Sequence, residues 1–133
     1  MIDDELQRVW LESQFGELAI PWFIGPRIPE FGAADILGVL TAAPGAGLTN
    51  EGINEVASFQ LRWIGRERDY QQLKRAVWAY HRTLLQADPS ALPWGCQVIW
   101  VSPAGGGPSA ENPDGRDLDR VMFTCTYLAE TEL

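Results

Sequence analysis

A chain of 133 residues suits one domain with one hydrophobic core. Its net charge of −8, with ten Lys and Arg against eighteen Asp and Glu, argues against non-specific nucleic-acid binding and against docking on an anionic membrane, because both need a cationic surface. It does not exclude DNA sliding past an acidic wall, since repulsion keeps DNA from sticking. With 46% apolar residues and six Trp, intrinsic disorder is excluded as well.

No apolar run approaches the roughly 18 residues of a transmembrane helix. The acidic start (Asp3, Asp4, Glu5) lacks the basic-then-apolar order of a signal peptide. The chain is therefore expected in the cytoplasm in which it is made, with Cys96 and Cys125 as reduced thiols. A disulfide between them stays open as the alternative.

Residues 1–14 read as a helix. Ile2, Leu6, Val9 and Trp10 share a face, the acids of the first turn complement the helix dipole, and Gly16 ends it. In 17–34, Pro21, Pro26 and Pro29 with Gly25 and Gly32 break regular structure. A short strand is expected at 19–24, confined to a sheet edge by Pro21. Residues 36–41 are apolar on both sides, as in a strand buried on both faces or packed at an interface. Residues 42–54 have little to bury and read as a long mobile loop joining the strands of a hairpin. Their Gly45-x-Gly47 lacks the Lys-Ser/Thr of a phosphate loop.

Residues 55–87 organise the chain. Ala57, Phe59, Leu61 and Trp63 alternate with Ser58, Gln60 and Arg62, the pattern of a strand with one buried face. After Gly65 a corner leads to Asp69, which with Gln72 forms a predicted capping box. Tyr70, Leu73, Val77, Tyr80 and Leu84 then fall on one helical stripe, which Pro89 and Pro93 terminate. A strand follows at 95–101, a second long loop at 103–117, and a last strand at 120–128 with Val121, Phe123, Cys125 and Tyr127 on one face. This order predicts an α+β domain spanning 1–133: a small mixed or antiparallel sheet of four to five strands, two helices packed on one face, and long loops between strands.

Chemistry-bearing constellations are sparse. His81, the only histidine, has no signature that brings it to Cys96 and a carboxylate, so a structural role is expected. Asp114, Asp117 and Asp119 do not follow the order of a calcium loop. One His and no Cys-x-x-Cys give no metal site. Trp78 and Leu85 lie round the helix from its apolar stripe; Trp78 either covers a neighbouring loop or is buried by a second subunit. Arg62 and Arg66 flank the corner, either as ordinary surface partners of Glu67 or Asp69 or as inter-subunit ion pairs.

The stretch Pro113-Asp-Gly-Arg-Asp-Leu-Asp-Arg-Val-Met-Phe-Thr-Cys-Thr-Tyr127 resembles the C-terminal end of tail terminator proteins of long-tailed bacteriophages, a family also called minor capsid proteins. Phe59-Gln-Leu-Arg-Trp63, a small corner and a helix opened by Asp69-Tyr70 resemble the same family, as does the element order over nearly the whole chain. Two departures stand out: Cys125 where the family usually has Asn after Phe-Thr, and a Pro-rich 17–34. The resemblance implies a non-enzymatic virion protein without cofactors, assembled in the host cytoplasm. It implies a ring, commonly a homohexamer, that caps the finished tail tube, stops its polymerisation and docks on the head-to-tail connector or stopper. DNA would pass through the lumen without specific binding. The candidate subunit interface is then Arg62, Arg66, Trp78 and Leu85. Two other readings stay open: another neck protein such as a stopper or adaptor, and a small cytosolic enzyme using Cys96 or His81.

Overall fold

The computed structural model describes residues 1–29, 36–48, 54–111 and 120–132, with backbone alone for 44–48. Helix α1 (Asp4–Ser13) is capped by Asp3, whose Oδ1 accepts the Leu6 N–H at 3.0 Å. Its buried residues are Gln7, Trp10 and Leu11, while Leu6 and Val9 face solvent. This corrects the expected Ile2/Leu6/Val9/Trp10 face. Trp10 packs edge-on against Trp94 at 5.7 Å and Leu11 fills the space beside it, so the helix is rotated toward its larger side chains. Gly16 is not the helix stop: Gln14 is the C-cap, and Gly16 (φ +50°) opens a 3₁₀ turn, Gly16–Leu18.

Strand β1 (Trp22–Ile24) runs parallel to β2 (Leu37–Leu48) at the sheet edge, the place expected from Pro21. The long loop expected at 42–54 is in part strand. β2 continues to Leu48, pairing antiparallel with β3 (Asn54–Arg66), and the register slips between Ala43 and Gly47. Ladder hydrogen bonds need no apolar side chains, and small Gly and Ala residues tolerate the bulge. The remainder, 49–53, lies outside the described residues.

A 3₁₀ turn (Glu67–Asp69) leads into α2 (Tyr70–Gln86). The expected capping box is absent. Asp69 makes no side-chain cap bond, and the Tyr70 N–H is instead taken by the Glu67 carbonyl of the preceding turn. The stripe itself is as read, with Leu73, Val77, Tyr80 and Leu84 buried and joined by Ala76 and His81. The helix closes on Ala87, whose N–H reaches Thr83, and Pro89 starts a short 3₁₀ turn.

Strand β4 (Val98–Pro103) and strand β5 (Ser109–Glu111) both pair antiparallel with β6 (Arg120–Glu132) on the same side. They form one edge strand interrupted by residues 104–108, so the loop expected at 103–117 also contains paired backbone. Gly105, Gly106 and Gly107 (φ +96°) give the excursion its freedom. The Ala104 N–H still reaches the Thr126 carbonyl at 2.8 Å.

The sheet order is β1-β2-β3-β6-β4, with β5 beside β6: six strands rather than four to five, antiparallel except for β1 with β2. β3 and β6 pair along their whole length, which sets Trp63 beside Phe123, Leu61 beside Cys125 and Phe59 beside Tyr127. Both helices pack on that face, and the main core lies between, with Trp63, Trp94, Tyr80 and Tyr127 fully buried. On the other face Leu37, Val39, Ile64 and Met122 form a smaller cluster with Ile28. This second cluster is why residues 36–41 are apolar on both sides.

Candidate subunit interface

His81 is buried on the sheet side of α2, and its Nδ1 lies 2.7 Å from the Tyr127 hydroxyl. Burial pulls the imidazole below its usual range and pushes the phenol far above its own. Tyr127 thus stays a protonated phenol beside Nδ1, and Nε2 lies toward Gly107. Cys96 is half-buried, Cys125 is buried, and both are free thiols. Desolvation raises both, so neither is a ready thiolate at neutral pH. Among the described residues no group of three or more His, Cys, Asp or Glu could hold a metal ion. No described helix is long and apolar enough to cross a membrane. Asp114, Asp117 and Asp119 lie outside the described residues.

The outward side of α2 is unusual for this acidic chain. From Tyr70 to Gln86 there is no Asp or Glu, and Lys74, Arg75 and Arg82 are all exposed. With Gln71 and Trp78 they line a shallow groove of about 330 Å³. Trp78 is 39% exposed and Leu85 38%. The indole rests edge-on against His81, ring centroids 5.4 Å apart. One edge of Trp78 is therefore fixed by the His81–Tyr127 pair while the rest meets solvent.

α1 carries the opposite charge. Leu6 and Val9 are 42% and 49% exposed, flanked by Asp4, Glu5 and Glu12. Arg8 bridges Glu5 and Glu12, its Nη1 lying 2.9 Å from Glu12, and so orders both carboxylates. Both sheet edges add apolar surface: Phe23 and Ile24 on β1, Ile99 and Trp100 on β4.

The two arginines sit elsewhere. Arg62 is on the face of β3 away from the helices, between Val39 and Thr124, on the other side of the sheet from Trp78. Its guanidinium donates to the Pro26 carbonyl at 3.0 Å and to Thr41 Oγ1 at 3.1 Å, tying the chain after β1 to β2. Arg66 ends β3 opposite Arg120. The structure thus groups Trp78 with Leu85 and separates both from Arg62. Leu6 and Val9, which share the expected face with Trp10, are instead exposed beside it. The β1 edge was marked by Pro21; the β4 edge had no such signal, because which strand lies at an edge is a property of topology.

No protein-family model matches the chain, and no curated protein matches its sequence. Among solved structures, a chain from the virion of a native gene transfer agent (GTA) particle superposes with a TM-score of 0.67. The likeness covers 96% of this chain and 90% of that one at 15% identity. At that identity it is a likeness of fold.

Proposed function

We propose that the chain is a structural protein of a phage-like virion, and within it the tail terminator. On this reading it forms a ring, the homohexamer common in that family, that caps the finished tail tube, stops its polymerisation and docks on the head-to-tail connector or stopper.

 The observation that carries the reading is the fold correspondence, over nearly the whole chain, with a component of a gene transfer agent virion. The sequence resemblance at 59–70 and 113–127 narrows it to the terminator.

Other features support the same role. The chain exposes more than one apolar surface, and each subunit of a cyclic oligomer offers two different faces to its neighbours. The buried, mutually engaged His81 and Tyr127 and the desolvated thiols serve packing better than catalysis. The net charge of −8 suits a channel that DNA crosses without sticking. The test is tail length. Particles assembled without the chain should carry tails of uncontrolled length, and adding the purified protein to growing tubes should restore a fixed length. Uniform tails in its absence would overturn the reading.

A further inference from the structure

The terminator reading leaves open which surfaces join neighbouring copies, and the charge distribution narrows the choice. α2 carries three cations and no acid on a chain of net charge −8. α1 carries Asp4, Glu5 and Glu12 against Arg8 alone. Each helix also exposes an apolar pair beside its charges: Trp78 with Leu85, and Leu6 with Val9. The helices lie over different parts of the sheet, α1 against β1 and β2 and α2 against β3, β4 and β6. Neither surface suits contact with its own kind, which would set like charges together. Each suits the other.

We infer that, resting on the ring reading, the outward face of α2 in one copy docks on the outward face of α1 in the next copy. The occupant of the α2 groove is thus a second copy of this chain. Trp78 packs over Leu6 and Val9, which are three apart on one helix and so roughly 5–6 Å from each other, a gap that takes an indole edge. Arg75 and Arg82 meet Glu5 and Glu12, whose carboxylates Arg8 already holds in place. The contact is heterologous, so it propagates from copy to copy and can close into a ring.

Mixing two charge-reversed variants of the full chain tests this. The first carries Arg75→Glu with Arg82→Glu, the second Glu5→Lys with Glu12→Lys; circular dichroism establishes that each folds. Each alone has like charges across the contact, and sedimentation velocity should show at least a tenfold loss of the assembled species relative to wild type. Mixed at equal concentration, the acidic α2 of one meets the basic α1 of the other, and assembly should return. Trp78→Ala should weaken wild-type assembly by more than it lowers the urea midpoint of the monomer. Rings that persist in both single variants, or variants that fail alone and stay apart when mixed, overturn this interface and leave the terminator reading standing. Arg75→Glu with Arg82→Glu that assembles normally but loses retention of duplex DNA also overturns it, in favour of a nucleic-acid face. A wild-type chain that remains monomeric even with tail tubes present sinks both.

Discussion

Gly38→Ala gives the sharpest check on how the β1 edge is held. Gly38 pairs with Trp22 across the parallel β1–β2 ladder, and the indole lies over the glycine. A Cβ built there would sit 2.5 Å from Cε3 and 2.6 Å from Cδ2 and Cζ3, where ordinary contact begins at 3.4 Å. One group or the other must move by about 1 Å, a forced displacement of the overpacking kind. The ring has no free direction: Trp63 and Tyr80 stand edge-on to it at 6.0 and 5.4 Å, and the residue is only 3% exposed. Overpacking costs about 1–3 kcal/mol, and three ring atoms struck at once put this case at about 3 kcal/mol. Urea unfolding followed by tryptophan fluorescence measures it. The cycle with Trp22→Leu separates the clash from any change in strand propensity: in the Trp22→Leu background Gly38→Ala should cost less than half as much. A loss below about 1 kcal/mol in the parent chain, or no coupling in the cycle, would refute the packing of β1 against Gly38.

Four further outcomes follow from the core, the helix ends and the buried histidine. Phe123→Ala should cost about 3–5 kcal/mol in chemical denaturation, because the ring is buried against Tyr70 on the core face of β6; a near-neutral change would place that strand wrongly. Asp3→Ala should cost about 1 kcal/mol through loss of its bond to the Leu6 N–H. Asp69→Ala should stay within about 0.5 kcal/mol, because Asp69 caps nothing; equal losses at the two positions would contradict the cap assignments. Burial lowers the folded pKa of His81, so the unfolded chain binds more protons as pH falls through the ordinary imidazole range. Its contribution to stability is thus complete well above that range and declines as pH drops from about 7 toward about 5. His81→Asn, which keeps a hydrogen-bonding partner for the Tyr127 hydroxyl, should flatten that decline in urea midpoints; an unchanged slope would show that His81 does not titrate on unfolding.

The parts of the fold legible in the sequence were those written as periodicity. Phe59, Leu61 and Trp63 marked β3, and Leu73, Val77, Tyr80 and Leu84 marked the buried side of α2, because burial on one face imposes a period on the chain. Where backbone pairing rather than side-chain burial decides, the signal vanishes. Residues 47–48 and 109–111 carry loop composition, yet they pair because long β3 and β6 offer them ladder partners. Asp69 and Gln72 had the spacing of a capping box, but the 3₁₀ turn before the helix satisfies the Tyr70 N–H first. On α1, Leu6 and Val9 read with Trp10 as one face because an exposed apolar residue carries the same periodicity signal as a buried one. Trp78 and Leu85 escaped that ambiguity only because the competing stripe on α2 is complete without them.

The central claim, that this chain forms the ring closing the tail tube, is tested most directly by electron cryo-microscopy of the neck of the assembled particle. A single ring of this chain between the last tube layer and the connector is the expected density, with adjacent subunits meeting through α1 and α2. Density for the chain along the body of the tube, in the head shell or at the far tip of the tail would contradict it.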